Sequence, residues 1–148
     1  MENIAPMLIL ASQSSARKAL LAGAGLSFET ARADIDERAL EDDFRASGTN
    51  AAGIALALAE AKALAVSKDQ KAAFVIGADQ TLALDQELLH KPADREEAAR
   101  QLDQLRGRSH QLHAGVALAR GGKISEVAPN VTADPPKKPT PDYGGRPI

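Results

Sequence analysis

Short apolar runs alternate with Ala- and Leu-rich helical repeats along most of this chain. "MLILA" (Met7 to Ala11) is a continuous apolar run, the pattern of a strand buried on both faces. It gives way at Ser12-Gln13-Ser14-Ser15 to "ARKALLAGAG", where Ala16, Ala19, Leu20 and Leu21 recur at helical spacing. Serine is a good N-cap, and Gly23 and Gly25 are stop signals, so the segment predicts strand, polar turn, helix. "LSFETARADIDERAL" predicts a strand around Phe28, then an acidic loop at Asp34, Asp36 and Glu37. From Asn50 to about Lys68, Ala and Leu dominate with polar residues spaced among them, which predicts a long helix. Gly53 weakens its first turn by roughly 1 kcal/mol relative to Ala.

"KAAFVIGAD" supplies a second buried strand that ends on Asp79. "DREEAARQLDQL" places Asp94 at an N-cap with Glu97 three residues on, close to a capping box, and Ala98, Leu102 and Leu105 form its apolar stripe. "SHQLHAGVALAR" reads as extended, and Gly121-Gly122 turns it into "KISEVA" as a hairpin. Strands alternating with helices place residues 1–127 in a layered α/β or α+β domain. Residues 128–148 differ: six of the eight prolines fall in the last twenty residues, with almost no apolar periodicity. Proline removes backbone donors, and such a segment buries too little surface to offset its ordering entropy, so disorder is expected there.

Composition narrows the class. Hydrophobic residues make up 44% of the 148 and charged residues 26%, as in a soluble globular domain; only 3% are aromatic, so the core must be close-packed from small side chains. A net charge of −2 disfavours a general nucleic-acid binder. The absence of cysteine excludes disulfides, thiol nucleophiles and cysteine metal sites. No apolar run reaches the ~18 residues of a membrane span, and the start lacks the basic region of a secretory signal; a cytoplasmic protein is expected.

Several residues are candidates for chemistry. The first strand–helix turn offers serine hydroxyls and free N–H groups, with Arg17 and Lys18 able to reach back to a phosphate; equally, Ser14 or Ser15 caps the helix and the cations are solvated. It is neither a Walker loop nor a dinucleotide fingerprint. Asp79, at the end of its strand beside Gln80 and Thr81, suits a general base or a metal ligand, or an Asx turn. Lys91, before Pro92, is a phosphate ligand or a surface lysine. Lys62 interrupts the apolar surface of "LALAEAKALA" and must snorkel outward or meet an anion. Asp36-Glu37 could hold a metal or begin the helix "ERALEDDF". His90, His110 and His113 lack zinc spacing, and no GxSxG elbow is present.

Taken together, "LILASQSSARKALLAGAGLSFE", "DIDE", "LALAEAKA", "VIGADQTLALD" and "HKPADREEAARQLDQLRGRSHQLHAGVAL" resemble, in order and context, the Maf family of nucleoside triphosphate pyrophosphatases, from Leu8 to about Val127. The resemblance implies a Maf/ITPase-like α/β fold: an elongated mixed sheet flanked by helices, with a central cleft. It implies hydrolysis of a nucleotide to its monophosphate and pyrophosphate with a divalent cation, Mg²⁺ or Mn²⁺. By matched position, Asp79 would be the general base; Ser12, Ser14, Arg17 and Lys18 would face the phosphates; Lys62 and Lys91 would add positive charge; and Glu37 with Asp79 would hold the metal. The family turn "ASxSPRR" is "ASQSSARK" here; Ala16 and Gln80 stand at specificity positions and resemble the branch acting on 7-methyl-GTP more than the branch acting on dTTP and UTP.

The family also implies a further helix and strands beyond this chain, so the Pro-rich ending has the character of a truncated or frame-shifted product. The expected partner is a nucleoside triphosphate, with a homodimer compatible and neither a nucleic-acid polymer nor a membrane involved. A non-catalytic nucleotide-binding or division-regulating protein is the alternative.

Overall fold

The computed structural model describes residues 7–85, 87–128 and 131–133. In chain order the elements are β1 (Leu8–Leu10), α1 (Ser15–Gly23), β2 (Glu29–Thr30), α2 (Glu37–Ala46), α3 (Ala51–Ser67), β3 (Phe74–Leu84), β4 (Glu87–Leu89), α4 (Arg95–Leu105), β5 (His110–Arg120), β6 (Lys123–Val127) and β7 (Val131–Ala133). The strands form one seven-stranded mixed sheet, ordered β2-β1-β3-β5-β6, with β4 also on β3 and β7 also on β5. β1 is parallel to β2 and β3, and the remaining pairs are antiparallel.

The long strands β3 and β5 form the spine, paired from Val75↔Ala119 to Leu84↔His110. The other edge of β3 is shared. β1 takes Phe74 to Ile76, and Ala11 N–H adds one bond to the Ile76 carbonyl. β4 takes Leu82 to Leu84. Between them, residues 77–81 of β3 have no strand partner on that edge among the described residues. The sheet therefore divides into two wings around a gap in the middle of β3.

Alternation along β3 turns Val75, Gly77, Asp79, Thr81 and Ala83 toward one face, where α3 lies. On β5 the same face is formed by His113, Gly115, Ala117 and Ala119, all buried. The Ala-rich helix reaches very close to this surface. A Cβ on Gly77 would collide with the Ala59 carbonyl oxygen and stand 2.8 Å from the Ala63 nitrogen; one on Gly115 would stand 2.6 Å from Leu56 Cα. Only glycine leaves room there. The core accordingly consists of Ile9, Ala11, Ala59, Ala63, Val66, Val75, Ala117 and their neighbours, with a second cluster of Ile54, Leu58, Ala83 and Leu88 against Leu40 and Phe44 of α2.

The helices start where capping chemistry dictates. Asn50 Oδ1 accepts from Gly53 N–H at 2.8 Å, Asp36 Oδ1 from Ala39 N–H at 3.1 Å, and Asp94 Oδ1 from Glu97 N–H at 2.8 Å. Gly121 and Gly122 take positive φ (64° and 78°), the geometry of the tight β5–β6 hairpin.

Three expectations are corrected. Asp79 does not end its strand: β3 continues through Leu84, because Thr81 points inward and donates its hydroxyl to the Ala51 carbonyl while Gln80 points outward. Asp34 lies in a loop, but Asp36 and Glu37 begin α2. The expected helix α4 forms with Asp94 at its N-cap, and its apolar stripe lies outside the core: the helix has no buried residue and Leu102 is 66% exposed. Within the span expected to be disordered, Val131–Ala133 pair with β5 as β7; residues 134–148 lie outside the described part.

Substituting Gly77 with Ala should lower stability by about 1–3 kcal/mol, the usual cost of overpacking a filled site. Urea denaturation checks this, with Gly23→Ala, where a Cβ meets nothing within 4 Å, as the control expected to stay near wild type.

Candidate active site

Asp79 lies in the gap of β3, on the face toward α3, with a side chain only 14% exposed. Lys62 of α3 meets it at 3.2 Å (Nζ to Oδ1) and also reaches Glu37 Oε1 at 2.8 Å, so one ammonium joins two carboxylates from separate elements. The lysine is itself buried, which is tolerable because both anions compensate its charge. Of its two possible fates, meeting an anion is the one observed. Glu37 is half-exposed at 54%, so its share of the attraction is weakened by solvent.

Burial raises the Asp79 pKa above the ordinary carboxylate value; Lys62 opposes the shift by charge and hydrogen bonding, and Glu37 adds to it. The charged form is therefore net disfavoured in the fold. Stability associated with this group is greatest at low pH and declines as pH rises from the ordinary carboxylate range through its raised folded value.

A cavity of about 530 Å³ opens on Asp79. It is lined by Glu37, Arg38 and Glu41 of α2, Leu58 of α3, Asp79, Gln80 and Thr81 of β3, and the run from Leu88 to Lys91. Lys91 and Gln80 thus share the cavity with Asp79 and Glu37. The other expected phosphate ligands form a separate group. Ser12 Oγ, buried, accepts from Ser14 N–H at 3.1 Å and from Arg17 Nη1 at 3.0 Å, and Ser14 Oγ caps α1 by accepting from Arg17 N–H at 3.3 Å. Ser12, Ser14, Ala16, Arg17 and Lys18 do not line the Asp79 cavity.

Topology still makes the two groups neighbours. β1 leaves β3 at Ile76, so the turn at Ser12 begins at one end of the gap, while β4 delivers His90 and Lys91 at the other. Ser14 caps its helix as one reading required, and its hydroxyl hydrogen remains free to donate.

A divalent cation suits this donor set. Mg²⁺ is typically held by one or two carboxylates with waters and substrate phosphate completing its shell. Glu37 and Asp79 supply two, already drawn to one positive centre in the Lys62 ammonium. Among the described residues no group of three His, Asp or Glu side chains forms a closed cage.

Sequence reasoning missed one pair. His90 Nε2 and Glu41 Oε2 share a hydrogen bond of 2.6 Å, tying the end of β4 to α2. The available signal was the helical spacing of Glu41 one turn after Glu37, with His90 adjacent to Lys91.

Comparison with known proteins defines the class and then the family. The fold is similar to a solved HAM1 protein from Coxiella burnetii, with a TM-score of 0.52 over 88% of this chain and 71% of that one, at 16% identity. Residues 7–135 match the family described as Maf-like protein, and the chain belongs to that family. It is 53% identical over 116 residues to a 7-methyl-GTP pyrophosphatase of Brucella abortus, covering 78% of this chain and 58% of the relative. It is 54% identical over 116 residues to a nucleoside triphosphate pyrophosphatase of Rhodopseudomonas palustris (strain HaA2), covering 78% and 56%. The chain thus spans under two thirds of the length of these relatives. Among its described residues, no helix is long and apolar enough to cross a membrane.

Replacing Lys62 with Met removes the counter-charge and should push the Asp79 pKa further up, read by carboxyl ¹³C NMR titration. Asp79→Asn, which deletes a disfavoured buried charge, is expected to melt at or above the wild-type temperature at neutral pH.

Proposed function

We propose that this protein is a cytoplasmic nucleotide pyrophosphatase that cuts a nucleoside triphosphate between its α- and β-phosphates. Asp79 takes the proton of a water that attacks the α-phosphorus; the bond to the bridging oxygen breaks, and pyrophosphate leaves with that oxygen, giving the monophosphate. The raised pKa of Asp79 suits a base working near neutral pH, because a stronger base takes the proton more readily. The observation carrying this reading is the buried Asp79 carboxylate, linked by Lys62 to Glu37, facing a cavity that Lys91 also lines.

Phosphoryl transfer demands mainly positioning and charge neutralisation. Lys91 and, across the gap, Arg17 and Lys18 would receive the polyphosphate, with Ser12 and Ser14 ordering the turn that presents Arg17. Glu37 and Asp79 would hold Mg²⁺ or Mn²⁺, which supplies further charge neutralisation at the phosphates. Gln80, exposed on the cavity wall, and Ala16 are the specificity candidates. The names of the relatives make 7-methyl-GTP the first substrate to try.

Purified protein with Mg²⁺ and 7-methyl-GTP, dTTP or UTP should release pyrophosphate and monophosphate, and Asp79→Asn should lose about 10²–10⁴-fold of that rate. Turnover unaffected by Asp79→Asn would end this mechanism. Nucleotide affinity with no turnover under either metal would instead favour a binding protein.

A further inference from the structure

Glu41 is a buried acid that neither the proposed catalysis nor the packing requires. Its side chain is 9% exposed, one helical turn after Glu37, between Leu40 and Phe44, which pack on the Ile54–Leu88 cluster. An apolar residue would fill that position without the desolvation cost of a carboxylate. What Glu41 obtains there is a hydrogen bond between its Oε2 and the His90 imidazole Nε2 at 2.6 Å, with the ring nitrogen able to donate and the carboxylate oxygen to accept.

His90 is held from a second side as well. Its backbone carbonyl accepts from Gln101 Nε2 of α4 at 2.5 Å. Two residues further on, Pro92 restricts the backbone of Lys91 to extended conformations. Ala93 N–H then donates to Glu97 Oε2 at 2.7 Å, and Asp94 caps α4. The backbone on either side of Lys91 is therefore fixed by α2 and by α4.

We infer that the Glu41–His90 pair is a positioning clamp that sets the separation of Glu37 and Lys91 across the Asp79 cavity. Glu37 and Glu41 lie on one helix a turn apart, and His90 and Lys91 are adjacent, so this bond, beside the packing of Leu40 and Phe44 on the Ile54–Leu88 cluster, links the elements that present both functional side chains. The catalytic part of this inference rests on the pyrophosphatase reading; the existence of the clamp does not.

The test uses the full 148-residue chain with His90→Leu and His90→Gln. A glutamine amide places its Nε2 donor near the position of the imidazole Nε2, so only the leucine variant loses the bond. With 7-methyl-GTP and Mg²⁺, His90→Leu is expected to raise KM and the half-saturating Mg²⁺ concentration on the order of tenfold, the scale of a small misplacement of positioned groups, with a smaller change in kcat. His90→Gln should recover most of that loss. In nucleotide-free protein, hydrogen exchange at residues 37–41 and 90–93 should accelerate in His90→Leu, remain near wild type in His90→Gln, and stay unchanged in α3 in both. Equal exchange and equal kinetics in wild type and His90→Leu would overturn the clamp, as would equal impairment of the two variants. If wild type releases no pyrophosphate, the functional reading fails, and the exchange pattern still decides whether the clamp exists.

Discussion

The close approach of α3 to β3 and β5 is the constraint from which the site follows. Gly77 and Gly115 admit the helix backbone to a distance that any Cβ would forbid. That contact settles where Lys62 can be: it lies between Ala59 and Ala63, the residues pressed against Gly77, and Asp79 is the next residue of β3 on the same face. The short reach between ammonium and carboxylate is thus a product of backbone packing. A wider helix–sheet spacing would leave Lys62 free to extend toward water, as long cationic side chains do when they can.

The second determinant is the divided edge of β3. A strand flanked along both edges would keep Asp79 under neighbouring backbone. Here β1 departs after Ile76 and β4 arrives only at Leu82, so the intervening residues open onto a cavity while α3 still covers their inward face. Asp79 is therefore desolvated enough for its pKa to rise, and open enough to meet a water. These conditions suit the base proposed for Asp79 and cost stability, as buried charges commonly do.

Much of this was legible in the sequence, for local reasons. The Ala/Leu helix with its Asn50 cap, the apolar strand "AFVIGAD" and the glycine hairpin each contain their own signal. What failed was non-local. Gln80-Thr81 looked like the end of a strand, yet Thr81 has a carbonyl partner thirty residues away in sequence, at Ala51. The Leu102 stripe was read correctly as periodic, but periodicity cannot say whether anything packs on it. Glu41 and His90 lie 49 residues apart and are polar types that sequence reading assigns to the surface or to metals. The resemblance grouped Glu37 with Asp79 and set Lys62 among the cations for phosphate; the ion pairs of Lys62 with both carboxylates were not legible in the sequence.

The unusual composition and the chemistry have one origin. A core with few aromatics gives up the large buried areas that stabilise most domains, and in exchange lets a helix axis come near a sheet. Ala55, Ala59 and Ala63 on α3 meet Gly77 and Gly115 and alanines of β5, so the helix backbone lies against the strands at these points. Only then does a lysine at position 62 span the remaining distance to Asp79 and still touch Glu37. Enlarging that core for stability would separate the layers and pull the lysine from the acid, so the small residues belong to the site as much as the charged ones do.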